Sequence, residues 1–373
     1  MRAVIIRSCL ENSSPRMIKS AGVLHEMGYE VSFLVWDRQR QKKAYEKHIE
    51  YDIYRWQKKA PFGLMILFYL PLWWVKIFWW LMLQRWDIVT GIDFDTIIPV
   101  LIAAKIKRKP VVYEMADTYE DMIPLPSMMR TFLIALDKVC MWLADAVIIV
   151  DEARYEEFNG IPNRNTVVIY NTPPDMADSY EFAKDIDQFI IFYAGAAWKR
   201  RGCDLDIIYH AIKDMENVKM IVAGYGDMID DVKVWAEQDP SKVKFLGFIP
   251  YEEVLKRTRK ADLVVALYNP KNLNNKYTSA LKLFEAMMSG VPILVRDETA
   301  TARLVNKEKC GIVIEKSDVE TVKRAILHLV ANPEIKKALG LNGRIAYERE
   351  YNWSEMSIRL KRLYEGMRKR GAQ

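Results

Sequence analysis

Short continuous apolar runs alternate with stretches of helical periodicity along the whole chain. In the first half, runs at 2–7, 31–36, 86–90, 111–114, 146–150 and 166–170 predict strands. Runs at 188–194, 218–223, 243–246, 262–267, 292–296 and 311–314 do so in the second. Most are unbroken Val, Ile and Leu rather than alternating patterns, as parallel strands covered on both faces require. The pattern predicts the α/β class, with two doubly wound Rossmann-like domains. The turn-rich Asn171-Thr-Pro-Pro-Asp175 and the acidic stretch after it mark the break. An N-terminal domain over 1–175 and a C-terminal one over 176–352 follow. Residues 353–373 close the chain with a basic amphipathic helix, expected to pack back toward the N-terminal domain. Its apolar face would hold Met356, Leu360, Leu363 and Met367. Ligands of open α/β sheets bind outside the carboxyl ends of the strands, so the cleft between the domains is the expected site.

One stretch departs from this alternation. Phe62 to Trp86 is apolar almost throughout, and Trp73, Trp74, Trp79 and Trp80 point all around a helix. Before it, residues 38–59 carry eight Lys or Arg against three Asp or Glu. Basic residues followed by a tryptophan-rich run suit a membrane-surface element: attraction to anionic lipid, then rings seated at the headgroup level. Residues 38–86 are therefore expected to associate with a membrane. A transmembrane span fits less well, because Pro71 and Lys76 interrupt the run and Lys near mid-bilayer costs roughly 2.5–3.5 kcal/mol. It would also put the strands at 2–7 and 86–90 on opposite sides of the membrane. A core helix would need a buried partner for each indole N–H.

Composition narrows the picture. A chain of 373 residues suits two domains, and 51% hydrophobic residues furnish both cores. Cys9, Cys140, Cys203 and Cys310 lack metal-type spacing, which argues against a disulfide framework or zinc and for a reducing compartment. No signal-peptide pattern precedes the first strand, so a cytoplasmic place, peripheral on the inner face of the membrane, is expected. The net charge of +6 does not suggest nucleic acid, because the basic run adjoins a stretch far more apolar than a stacking platform requires.

The chemistry concentrates in Tyr277-Thr-Ser-Ala-Leu-Lys-Leu-Phe-Glu-Ala-Met-Met-Ser-Gly-Val-Pro-Ile-Leu-Val295. Lys282 and Glu285, three apart, share a helix face beside a helix start that favours anions. A phosphate can rest against that start and Lys282, while a carboxylate one turn on accepts hydrogen bonds from a sugar diol. A nucleotide sugar has both parts. An ordinary amphipathic helix with a solvated Lys/Glu pair has the same spacing.

Several motifs in order resemble one family over nearly the whole chain. Pro15-Arg-Met-Ile-Lys-Ser-Ala-Gly-Val-Leu-His-Glu-Met-Gly-Tyr-Glu-Val31 resembles its first βαβ unit. Asp87 to Thr96, then Val111 to Asp117, resemble its acceptor-side strands. Tyr193-Ala-Gly195 with Arg201-Gly202, Gly224-Tyr-Gly226, and Lys282-Leu-Phe-Glu285 to Pro292 resemble its donor-side motifs. The family is the retaining glycosyltransferases of family 4 (group 1), with the GT-B fold. The resemblance implies that Glu285 holds the donor ribose, and that Arg201 and Lys282 neutralise the diphosphate with N–H groups at Ala280 and Leu281. It further implies that Gly195, Gly224 and Tyr225 line the donor site. Asp117, Asp93, Ser13 and Ser14 would face the reacting sugar and acceptor, with Asp117, Arg201 and Lys282 the catalytic group.

The chain departs from the family at Ala196, where an arginine is frequent, at Tyr277, where a first glutamate is frequent, and at Ala116, where many members have histidine. His25, His48, His210 and His328 fall outside the predicted cleft loops, which argues against a histidine base. Asp-x-Asp occurs at Asp93, Asp185 and Asp204, near chance for a chain with 49 acidic residues. No metal and no cofactor beyond the nucleotide-sugar co-substrate are expected. The expected activity is sugar transfer, with retention, from a nucleotide diphosphate donor to a lipid-linked saccharide or glycolipid at the membrane surface. The other readings are a catalytically impaired nucleotide-sugar-binding subunit that anchors a partner transferase, and a dehydrogenase. The dehydrogenase lacks its glycine fingerprint, since residues 8–13 read Ser-Cys-Leu-Glu-Asn-Ser.

Overall fold

A computed structural model describes residues 1–10, 15–40, 42–47, 50–61, 64–118, 127–176, 188–199 and 202–371. The chain divides into two compact units, Met1–Tyr170 with Met356–Gln373, and Asn171–Glu355. The first contains β1 (Arg2–Arg7), α1 (Pro15–Glu26), β2 (Glu30–Trp36), β3 (Tyr45–Lys47), β4 (Tyr51–Trp56), α2 (Leu70–Leu83) and β5 (Ile88–Ile92). It continues through α3 (Phe94–Lys107), β6 (Val111–Met115), α4 (Ser127–Leu143), β7 (Ala146–Ile149), α5 (Arg154–Glu157) and β8 (Thr166–Val168). The second runs through β9 (Phe189–Ala196), α6 (Leu205–Ile212), β10 (Val218–Tyr225), α7 (Ile229–Gln238), β11 (Val243–Phe245), α8 (Tyr251–Lys260) and β12 (Leu263–Ala266). Then come α9 (Leu273–Tyr277), α10 (Leu281–Ser289), β13 (Ile293–Arg296), α11 (Ala300–Glu308), β14 (Gly311–Ile314), α12 (Val319–Ala331) and α13 (Pro333–Ala346). The last helix, α14 (Trp353–Gly371), returns to the first unit.

The first sheet has the order β3-β4-β2-β1-β5-β6-β7-β8 and is parallel except where β3 pairs antiparallel with β4. The second has the order β11-β10-β9-β12-β13-β14 and is parallel throughout. Central strands such as β5, β6 and β7 are buried at every position, which accounts for their unbroken apolar runs. In each sheet the strand order reverses once, between β1 and β5 and between β9 and β12. Those reversals leave crevices at the carboxyl ends, where loops to successive helices splay apart.

Helices α2, α3 and α4 cover one face of the first sheet, packing on Val4, Ile6, Leu34, Trp36, Val89, Tyr113 and Ile149. Thr90, one residue on from Val89, turns to the other face and meets α14, with its Oγ1 2.9 Å from the Tyr364 hydroxyl. There α14 buries Met356, Leu360, Tyr364 and Met367, so Tyr364 takes the place expected of the half-buried Leu363.

The expectation that 38–86 is wholly a surface element needs correction. β3 and β4 lie within it and extend the sheet edge, where buried Arg55 pairs with Glu46 at 2.7 Å and donates to the Lys43 carbonyl at 3.1 Å. Part of the basic run is therefore held within the sheet. Along α2, Leu70, Trp73, Ile77, Trp80 and Leu81 belong to the core. Two of the four indole N–H groups find acceptors, Trp73 on Ser8 Oγ at 2.8 Å and Trp74 on the Asp95 carbonyl at 2.9 Å. No helix among the described residues is long and apolar enough to cross a membrane.

Candidate functional site

Three elements of the second unit converge at the reversal between β9 and β12. Gly195 and Gly224 each stand one residue before the end of their strands, β9 and β10, and are register partners. Gly224 has φ +134, and a Cβ there would lie 1.9 Å from the Gly195 carbonyl oxygen, so no side chain fits without parting the strands. Gly195 has φ +135, and its Cβ would lie 3.1 Å from Lys282 Nζ. The glycine edge and the lysine helix, nearly ninety positions apart in sequence, thus face one another.

Lys282 is buried near the start of α10. Its Nζ donates to the Tyr268 hydroxyl at 2.5 Å and lies over the rings of Tyr193 at 4.3 Å and Tyr268 at 5.2 Å. Burial pulls its pKa down, but Tyr268, Cys203 and Glu285 outweigh that and raise it above the ordinary lysine value. The group is thus a held cation. Cation–π contact and the hydroxyl supply what water would in the open. Tyr193 completes the cluster, its hydroxyl accepting from Cys203 Sγ at 3.1 Å and donating to the Ala196 carbonyl at 2.9 Å. Burial pushes the Cys203 thiol up to about 11.

Glu285 follows one turn later, buried, and hydrogen-bonds the Tyr251 hydroxyl, whose pKa burial and the carboxylate raise. The helix opens at Ala280, which has extended backbone and no side-chain cap. Its own N–H donates to Thr301 Oγ1 at 3.0 Å, so in this state the amide expected to serve the diphosphate is already engaged. The start of α10 carries the remaining amides, at Leu281 and beyond, that no intrahelical carbonyl can accept. Tyr225, exposed after the glycine pair, makes edge contact with Trp198 at 6.3 Å.

Gly195, Gly224, Tyr225, Ala280, Leu281, Lys282 and Glu285 thus form one edge, whereas Arg201 lies outside the described residues. Sequence reasoning gave no role to Tyr268 or Tyr193, although Tyr193 opens one of the quoted donor-side motifs. Tyr268 stands just past the carboxyl end of the apolar run 262–267, a position that could have marked it.

In the first unit, Asp93 and Asp117 come together at the carboxyl ends of β5 and β6. Asp93 has φ +65, unusual for a side chain with a Cβ, and its Oδ1 accepts the N–H groups of Ala116 at 2.9 Å and Asp117 at 3.0 Å. Arg7, which ends β1, lies 3.3 Å from Asp93 Oδ2 and 3.8 Å from Asp117 Oδ2. Burial raises the Asp93 carboxyl to about 7 against the pull of Arg7. Arg7 was not among the sequence candidates, although a cation closing an apolar strand at its carboxyl end is a legible signal. Ser13 and Ser14 lie outside the described residues.

His25, His210 and His328 all lie in helices, and His48 lies outside the described residues. Among the described residues, no three His, Cys, Asp or Glu side chains gather as metal ligands would.

Residues 177–346 match the family model described as glycosyl transferases group 1. An uncharacterized glycosyltransferase of Methanocaldococcus jannaschii is 24% identical over 210 residues, 56% of this chain and 52% of that protein. Phosphatidyl-myo-inositol mannosyltransferase of Mycobacterium leprae is 23% identical over 215 residues, 57% and 54% of the two chains. The chain spans about half the length of these curated relatives. Among solved structures, sucrose-phosphate synthase from Thermosynechococcus elongatus has a TM-score of 0.75 at 14% identity, covering 98% of this chain and 99% of that one. WaaG, a glycosyltransferase involved in lipopolysaccharide biosynthesis, has a TM-score of 0.69 at 14% identity, covering 97% and 99%. The fold is GT-B, two Rossmann-like α/β domains, and the matched stretch contains the Gly195, Gly224 and Lys282 edge.

Proposed function

We propose that this protein is a retaining glycosyltransferase of the family 4 type, moving a sugar from a nucleotide diphosphate donor to a lipid-linked saccharide or glycolipid at a membrane surface. The observation that carries the reading is the buried Lys282 held against the Gly195–Gly224 edge, with Glu285 one turn further. Such an edge suits a diphosphate. The glycines let its oxygens approach the backbone, and the lysine and helix start meet its charge. Glu285 suits a ribose diol.

In the reaction, the bond from the anomeric carbon to the diphosphate oxygen breaks and a bond to the acceptor oxygen forms on the same face. The departing diphosphate takes the acceptor proton, so no dedicated base is needed. Lys282, Arg201 and the α10 amides stabilise charge on the leaving group, a preorganised arrangement that serves the transition state more than the ground state. The roles toward the acceptor and reacting sugar are assigned by the proposal to Asp117, Asp93, Ser13 and Ser14. No metal takes part. The lipid acceptor is favoured by relatives whose names specify phosphatidyl-myo-inositol, and by the exposed apolar side of α2.

The test is transfer of label from UDP-, GDP- and ADP-sugars into the organic-extractable fraction of host membranes, with Glu285→Ala beside the wild type. Label entering lipid from one donor, and lost in the variant, supports the proposal. Nucleotide binding without turnover for any donor would instead assign a binding subunit that anchors a partner transferase, a reading the substitutions at Ala196, Tyr277 and Ala116 would then explain.

A further inference from the structure

The side of α2 that faces away from the core is as apolar as the side within it. Phe68, just before the helix, and Leu72, Val75, Trp79 and Leu83 are exposed, and they recur every three or four residues as one outer stripe. The neighbouring helices do the same. On α3, Ile102 and Ile106 are exposed four apart, and on α4 so are Met128, Phe132, Val139 and Trp142. All three helices lie side by side on one face of the first sheet, and their inner residues share a single core. Their outer stripes therefore form one surface.

The extent of this surface sets it apart from ordinary scattered exposure. Phe68, Trp79, Phe132 and Trp142 are 75%, 58%, 66% and 68% exposed. Rings of that size leave on the order of 500 Å² to solvent among the four alone. A soluble monomer rarely presents more than a few hundred Å² of contiguous apolar area.

Charge identifies the occupant. α2 has no acidic residue, and the acids of α3 and α4, Asp95 and Asp137, are both buried. Exposed Lys76, Arg85, Lys105 and Arg108 lie on or beside the stripes. Among the described residues the three helices thus carry exposed cations and no exposed acid, the nearest being Asp145, past the end of α4 and beside Lys105 and Arg108, and an apolar surface of that charge complements anionic lipid headgroups over acyl chains. A second copy of the chain fits less well, because a two-fold contact would set four cations against their copies with Asp145 the one exposed acid near them among the described residues.

We infer that the outer face of α2, α3 and α4 is a bilayer-docking surface, with Trp79, Phe132 and Trp142 entering the headgroup layer and the exposed cations meeting anionic lipid. The basic stretch 38–59 is not the principal contact, since part of it is fixed in β3 and β4. The inference builds on the proposed membrane-borne acceptor, but the surface itself is read from the helices.

The test is co-sedimentation of the full chain with vesicles of phosphatidylcholine alone or mixed with phosphatidylglycerol, for the wild type, Phe132→Glu, Trp142→Glu and Lys58→Glu/Lys59→Glu. The two α4 variants lie far in sequence from 38–86 and are exposed, so folding is preserved and checked by melting temperature. Expected are binding of the wild type to mixed vesicles, weakened by added salt, and a loss of about tenfold or more in each α4 variant. A further readout is quenching of tryptophan fluorescence by acyl-brominated lipid, which Trp79→Phe and Trp142→Phe should each reduce. Unchanged binding in both α4 variants overturns the inference, as does loss in the Lys58/Lys59 variant alone. A concentration-dependent dimer that Trp142→Glu converts to monomer would overturn it too, assigning the face to a second copy. Transfer to a detergent-dispersed acceptor separates the two proposals. Transfer without vesicle binding overturns this surface and leaves the function standing, and vesicle binding without transfer does the reverse.

Discussion

A Cβ on Gly195 would stand 3.1 Å from the ammonium nitrogen of Lys282. That distance joins two motifs far apart in the chain, at the edge proposed to take the diphosphate.

Substitution at the two glycines separates strain from crowding. Gly195→Ala places a side chain at φ +135, costing about 1–3 kcal/mol, and presses on a flexible lysine tip that can yield. The expected outcome is a folded protein with a modestly lower melting temperature and at least about tenfold weaker nucleotide binding. Gly224→Ala meets a carbonyl oxygen at 1.9 Å, which cannot yield, so a larger fall in melting temperature is expected. Equal effects of the two on stability would contradict the geometry.

Tyr268→Phe removes the hydroxyl that holds Lys282 and leaves the ring beneath it. The expected loss of stability is about 1–3 kcal/mol, the cost of a buried donor without its partner. A bound nucleoside diphosphate restores an anionic partner, so it should raise the variant's melting temperature by more than the wild type's. Equal shifts would show that the ligand does not reach the ammonium.

Asp93 gives a pH signature. Its carboxyl titrates near 7 in the folded protein and about 3.9 in the unfolded chain, so the folded state binds more protons between these values. Stability is therefore expected to fall as pH rises from about 4 to about 7, with a slope of at most about 1.4 kcal/mol per pH unit from this group. Asp93→Asn keeps an acceptor for the amides of Ala116 and Asp117 and should flatten that part of a denaturant-midpoint profile. A slope unchanged by the substitution would assign the dependence elsewhere.

Strand positions were legible because a buried parallel strand is a short apolar run, and all twelve expected runs contain strands of the two sheets. β3 and β4 were not legible. β3 is the edge strand and β4 lies beside it; β4 alternates, with only Ile53 and Arg55 buried, and the charges of both drew attention away from pairing. The tryptophans of α2 misled for a related reason. Spacing shows that an indole needs an acceptor, but not that Ser8 and the Asp95 carbonyl, from distant loops, will supply one. At the site, Lys282 and Glu285 could be read from helical spacing. Tyr268 and Arg7 were marked only by their places at the carboxyl ends of apolar runs; that they meet Lys282 and the Asp93–Asp117 pair was not legible, since it depends on strands brought together by the order of the sheets.

In the proposed reaction, Lys282 and the α10 amides take the place a divalent cation would have on a diphosphate. Transfer is expected to continue in excess chelator at a rate close to that with magnesium. Complete loss, restored by magnesium or manganese, would contradict the proposed chemistry.

The most direct measurement is calorimetric titration of UDP, GDP and ADP into the wild type and Lys282→Met, a substitution that fills the same space without charge. The account expects one nucleotide to bind the wild type and its affinity to fall about tenfold or more in the variant, in keeping with a lost charge-assisted contact. Binding of equal strength in both proteins, or of no nucleotide to the wild type, would contradict the assignment of this edge to a nucleotide-sugar diphosphate.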